Sequence, residues 1–220
     1  MRAARRRPLR IGCDMDGVVA DLGAAMSRES LALFGDEGRD ADHLAARRRK
    51  HLWTRVQAVE NFWETLDEIE PGGVSRMAAL AAERRWEVIF LTTRPDSAGD
   101  TAQRQTHRWL AAHGCSSPNV FVVRRSRGLI AAALELDVVL DDRPGNCLDV
   151  IADSEARAIL TWRREQDIPT LALNRARIEV VKGFHQALDA LTTMDLHRHE
   201  SSSRLSAILR TFVSRSARAV

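Results

Sequence analysis

Leu9-Arg10-Ile11-Gly12-Cys13-Asp14-Met15-Asp16-Gly17-Val18-Val19-Ala20-Asp21 carries the pattern from which the fold can be read. Leu9–Cys13 is a short apolar run and reads as a buried strand. Two carboxylates, Asp14 and Asp16, follow where that strand should end. Open α/β sheets bind ligands outside the carboxyl ends of their strands. Gly17 lets the backbone turn sharply just beyond. Such an arrangement suits a hard cation and a phosphate.

The same alternation continues along the chain. Glu87–Leu91, Asn119–Val123, Asp137–Leu140 and Ala156–Thr161 are short apolar runs, expected to be strands. Val74–Glu83, Thr101–His113, Leu129–Leu136 and Asn146–Ser154 between them have helical period. Strands alternating with helices predict an α/β fold with a parallel, doubly wound sheet. One gap is too long for a single crossover: Asp21 to Trp86 separates the first two strands. Its period is helical over Leu22–Phe34 and Asp42–Val59, which predicts a helical insertion over the first βα junction.

A length of 220 residues fits one domain with a small insertion. No apolar stretch approaches the roughly 18 residues that span a bilayer. Met1–Arg7 is arginine-rich without a following apolar segment, so a basic tail is expected rather than a secretory signal. Cys13, Cys115 and Cys147 match neither a disulfide framework nor a zinc spacing, and a cytoplasmic location is expected. The net charge is only +3. The clusters Arg5–Arg7, Arg47–Lys50 and Arg124–Arg127 permit nucleic-acid binding, but solvated surface or a local anion site is the favoured reading. Lys50 and Lys182 are the two lysines among 33 basic residues, and tyrosine is absent. After Leu191 the pattern changes: a polar linker at His197–Ser203 precedes Arg204–Arg218, readable as a basic amphipathic helix or a tail.

Four segments at predicted strand ends carry chemistry. In Asp14-x-Asp16, one carboxylate can attack phosphorus and the other can move the proton. Phe90-Leu91-Thr92-Thr93-Arg94-Pro95 places hydroxyls that can donate to a phosphate oxygen. Arg124-Arg125-Ser126-Arg127-Gly128 supplies a cation after the third strand. Val139-Leu140-Asp141-Asp142-Arg143-Pro144 sets two acids side by side, a repulsion that a bound cation relieves.

The ordered set resembles the haloacid dehalogenase-like superfamily of aspartate-nucleophile phosphatases. More narrowly it is similar to the 5'(3')-deoxyribonucleotidase family, through DMDGVVAD (Asp14–Asp21), NFWETLDEIEPGGV (Asn61–Val74), FLTTRP (Phe90–Pro95) and LDDRPGNC (Leu140–Cys147). The resemblance spans roughly Leu9 to Leu191. It implies a Rossmann-like core over residues 9–21 and 74–191 with a helical cap over 22–73. Residues 1–8 would then be a basic N-terminal tail, and residues 192–220 a C-terminal linker with a basic helix or tail. It implies Asp14 as nucleophile and Asp16 as general acid/base with its backbone carbonyl on Mg2+. Thr92 would bind the transferring phosphoryl group, with Thr93 beside it. Asp142 would be a metal ligand, and Asp141 its direct or water-mediated support. The family's third motif normally supplies a lysine; Arg127 stands there instead, with Arg124 and Arg125 as alternatives. Arginine keeps the charge but is bulkier and planar.

The cap is expected to choose the substrate. Phe62 and Trp63 fall in the segment that lines the base pocket in the resembled family; aromatic faces stack on nucleobases, and packing of the cap's small core is the equal alternative for both. Trp53 is expected to pack the cap's own core. The function implied is a Mg2+-dependent phosphomonoesterase acting on small phosphorylated substrates, foremost (deoxy)nucleoside monophosphates. Other phosphate esters, a nucleic-acid 3'-phosphate, or non-catalytic nucleotide binding are the alternatives.

Overall fold

The structure, a computed structural model, describes residues 7–35, 45–163 and 177–198. The expected basic helix at Arg204–Arg218, most of the N-terminal arginine run and residues 42–44 of the expected helix Asp42–Val59 lie outside these.

Six strands form one sheet: β1 (Arg10–Asp14), β2 (Glu87–Thr92), β3 (Asn119–Val122), β4 (Val138–Asp141), β5 (Arg157–Thr161) and β6 (Ile178–Val181). Their order is β3-β2-β1-β4-β5-β6, and every neighbouring pair is parallel. The helices are α1 (Leu22–Phe34), α2 (Ala46–Ala58), α3 (Gly73–Arg84), α4 (Ala102–Ala112), α5 (Arg127–Ala133) and α6 (Pro144–Asp153). A 3-10 turn covers Phe62–Glu64, and residues 184–198 form a further helical segment, α7.

The central strands are apolar throughout because both faces are covered. Along them, side chains alternate between two cores. Ile11, Cys13, Val138 and Leu140 join Val74, Met77, Trp109, Phe184 and Leu188 on one face. Leu91, Val139 and Leu160 join Ala131, Cys147 and Val150 on the other. The chain runs outward from β1 through β2 to β3, then crosses back to β4 on the other side of β1. That reversal opens a crevice at the carboxyl ends of β1 and β4.

Among the described residues, the long gap after β1 folds as α1, α2, the 3-10 turn and α3. Asp21 caps α1 by accepting a hydrogen bond from Ala24 N at 2.8 Å. The two chain segments flanking this insertion are tied together: Asp21 N donates to Asp67 O and Ile69 N to Val19 O, each at 2.9 Å.

Several element boundaries differ from expectation. The strand β6 carries no long apolar run; it is four residues, IEVV, with Glu179 half-exposed at the sheet edge. α5 begins two residues earlier than the periodicity predicts, because the Ser126 hydroxyl accepts from Gly128 N and caps it. α6 also begins early, with Pro144 in its first turn. The chain stays helical through residue 198, past the pattern change at Leu191. There Asp195 is buried and accepts from Trp86 Nε1 at 3.1 Å. Arg7 is no loose tail residue: it donates to Glu135 O at 2.9 Å and pairs with Asp137 at 2.8 Å.

Candidate active site

Strand pairing brings the acids together. Cys13 on β1 pairs with Leu140 on β4, so the next residues along, Asp14 and Asp141, emerge side by side at the carboxyl edge. Asp142 follows. One carboxylate oxygen from each of Asp14, Asp141 and Asp142 lies within 4.8 Å of the others.

Two positive groups organise these charges. Arg127, buried at the start of α5, donates from Nη2 to Asp14 Oδ1 and from Nε to Asp141 Oδ2 at 3.3 Å. Its Nη1 is buried without a hydrogen-bond partner among the described residues. Asp141 is otherwise saturated, accepting from Asn146 Nδ2 at 2.9 and 3.0 Å and from Arg143 N at 2.9 Å. Asp16 is not one of the three clustered acids and has its own partner. Its carboxylate is held by Arg94, with Nη2 at 2.6 Å and Nε at 3.0 and 3.1 Å.

Burial dominates the titration of the cluster. It pushes the Asp14 carboxyl well above the usual carboxylate range, and the Asp141 charge adds to the rise while Arg127 opposes it. Burial also raises Asp141, against the pull of Arg143 N, Arg127 and Asn146. Asp142 is pushed up to about 6, by burial first and by Asp141 second.

The acids fit a hard divalent cation. Asp142 Oδ1 is buried and has no hydrogen-bond partner among the described residues. An unsatisfied buried carboxylate oxygen beside two further carboxylates is an oxygen-donor set short of positive charge. Gly17 makes room for it: its φ is +88°, and a Cβ there would overlap the Asp142 carboxylate.

A cavity of about 390 Å3 opens over these groups. Asp14, Asp16, Thr92, Thr93, Arg94 and Arg127 reach its wall. Thr92 is buried at the end of β2, its hydroxyl accepting from Arg94 N at 3.2 Å, whereas Thr93 is exposed. Trp63 lines the cavity, and its indole N–H donates to Pro95 O at 3.0 Å.

The aromatic residues divide between core and cavity. Phe62 does not line the cavity; it is buried in the core, edge-on to Trp63 with ring centroids 5.1 Å apart. Trp53 is half-buried against the core that holds Leu52 and Val56, as expected, and also lines the cavity. The sequence reading assigned no role to Arg94, Arg143 or Asn146, all of which line it too. Arg94 sits in the hydroxyl-bearing motif and Arg143 and Asn146 beside the paired acids, so proximity to a motif was the available signal. Arg163, just after β5, was also missed. It donates to Gly17 O at 2.6 Å and pairs with Glu70 at 2.8 Å, tying down the turn after Asp16.

No protein-family model matches the chain. In sequence it is similar to the mitochondrial 5'(3')-deoxyribonucleotidase of Mus musculus, 28% identical over 157 residues, covering 64% of this chain and 67% of the mouse protein. In structure it resembles a haloacid dehalogenase family hydrolase from Deinococcus radiodurans, solved with bound phosphate and sodium. The TM-score is 0.57 at 12% identity, covering 84% of this chain and 96% of that one. A haloacid dehalogenase-like family hydrolase from Xanthomonas campestris gives a TM-score of 0.52 at 14% identity, covering 88% and 98%. A six-stranded parallel sheet with the order found here, flanked by helices and opening at β1 and β4, is thus the haloacid dehalogenase-like fold.

Proposed function

We propose that the chain is a Mg2+-dependent phosphomonoesterase that forms an aspartyl phosphate at Asp14, with nucleoside monophosphates as its substrate class. The observation that carries this reading is the placement of Asp14. Its carboxylate faces a cavity, is oriented by Arg127, and stands beside the unpartnered oxygen of Asp142.

Asp14 would attack phosphorus, forming an Oδ–P bond as the ester P–O bond breaks. Asp16 would give its proton to the leaving alkoxide and then take one from the water that cleaves the aspartyl phosphate. Arg127 restrains Asp14, and its unpartnered Nη1 is the donor left for a phosphoryl oxygen. The exposed Thr93, with Thr92 beneath it, offers a hydroxyl to the same group. Asp14 and Asp142 would hold Mg2+, with Asp141 as support and the Asp16 carbonyl contributing as the resemblance implies. Bound there, the ion would supply charge compensation for the phosphoryl oxygens.

Two observations favour a nucleotide. Trp53 lines the cavity beside the buried Trp63, and an aromatic wall suits a base. The mouse relative is a deoxyribonucleotidase. The test is hydrolysis of p-nitrophenyl phosphate, nucleoside monophosphates, sugar phosphates and 3'-phosphorylated oligonucleotides, each with Mg2+ and with chelator. Metal-dependent release, fastest on nucleoside monophosphates, is expected. Absence of metal-dependent release from every ester would refute the enzyme reading, and release from sugar phosphates alone would refute the substrate class.

A further inference from the structure

We infer that Arg94 is the positioning residue that aims Asp16 at the leaving group, an inference resting on the phosphatase reading above. The Arg94 side chain is fully buried, at 0% exposure. Burying a guanidinium is costly unless it is paired and hydrogen-bonded. Its pairing here is directed at Asp16, while every other contact fixes the guanidinium in place. Nη1 donates to Thr106 Oγ1 at 2.9 Å, and that hydroxyl donates to Ala102 O at 2.7 Å, inside α4. The guanidinium lies over the Trp63 ring, 4.9 Å from its centroid. Its own backbone N–H donates to Thr92 Oγ1.

This geometry distinguishes the two oxygens of Asp16. Oδ1 accepts from both Nη2 and Nε, whereas Oδ2 accepts from Nε alone. Oδ2 is therefore the oxygen left to exchange the proton, and Oδ1 is the anchor. A flexible carboxylate would lose the near-attack geometry on which proton transfer depends. Arg94 also links Asp16 to Trp63 on the cavity wall, so the proton donor and the aromatic wall share one rigid support.

Leaving-group dependence tests this. A p-nitrophenolate leaves without protonation, whereas a nucleoside alkoxide needs the Asp16 proton. With wild type and Asp14→Asn first establishing that the enzyme turns over, Arg94→Ala is expected to lower kcat/KM on a nucleoside monophosphate about 100-fold. The loss on p-nitrophenyl phosphate is expected to be under about fivefold, and Arg94→Lys should restore part of the nucleotide activity. In an Asp16→Asn background, Arg94→Ala should cost almost nothing more, because the two act as one unit. Thr106→Val, which removes the anchor of Nη1 together with the hydroxyl's own bond to Ala102 O, should show the same leaving-group selectivity at smaller size. It serves as the test if Arg94→Ala does not fold. Equal losses on both substrates, or additive losses in the double variant, would overturn the assignment while leaving the phosphatase reading intact. An inactive wild type would instead overturn the phosphatase reading.

Discussion

Gly17 lies directly against the carboxylate of Asp142, in a left-handed backbone conformation with φ of +88°. The turn that ends the first motif and the acid that begins the last one therefore occupy adjoining space. Gly17→Ala is expected to strain the turn and displace Asp142 together. Strain of this kind costs about 1–3 kcal/mol, measurable by urea denaturation. Phosphatase activity should fall by at least about tenfold beyond what that lost stability explains, since the displaced group is Asp142.

Arg127 bridges two buried acids, so its removal takes the paired cation from both and leaves Asp141 only its bonds from Asn146 and Arg143 N. Breaking a buried pair costs about 3–5 kcal/mol. Arg127→Met is expected to lower the thermal midpoint and abolish turnover. Arg127→Lys should keep a measurable part of both, because an ammonium supplies the charge without the fork that spans Asp14 and Asp141. Thermal unfolding and kcat on one substrate check both variants.

Much of this was legible beforehand because both faces of the central strands are buried. Their apolar runs stand out, and the acids follow directly. β6 was not legible, since an edge strand of four residues with a central glutamate has no periodic signature. The Arg94–Asp16 pair was equally hidden: 78 residues separate the two, and only the register of β1 against β2 brings them together. The core position of Phe62 follows from orientation. The 3-10 turn buries both its aromatics, yet only Trp63 reaches the cavity wall.

Phe62 and Trp53 separate stability from binding. Phe62→Ala should destabilise the fold by about 3–5 kcal/mol, as for other buried aromatics. Trp53→Ala should cost less stability than Phe62→Ala, because Trp53 is only half-buried against the core, and should raise KM for a nucleoside monophosphate. A stacked base is worth about 1–3 kcal/mol, or roughly 5- to 150-fold in KM. Inorganic phosphate inhibition, which involves no base, should not change.

Glu70 provides a pH test of the scaffold. Burial raises its carboxyl, but the backbone N–H groups of His185 and Phe184 and the Arg163 guanidinium outweigh this and hold it below the ordinary glutamate range. A lowered folded pKa gives stability that is present above the unfolded value of about 4.3. It is lost as pH falls through the folded value. Wild type is therefore expected to be more stable than Glu70→Gln at pH 7, with the difference shrinking steadily below about pH 4. Urea denaturation at several pH values measures it.

The aspartyl phosphate is most directly tested by acid-quenching the enzyme with a nucleoside monophosphate and Mg2+, then mapping the trapped phosphoryl group by peptide mass spectrometry. One phosphoryl group on the peptide containing Asp14 is expected, absent from Asp14→Asn, which should also fail to turn over. A phosphoryl group on another residue, or full turnover by Asp14→Asn, would contradict the account.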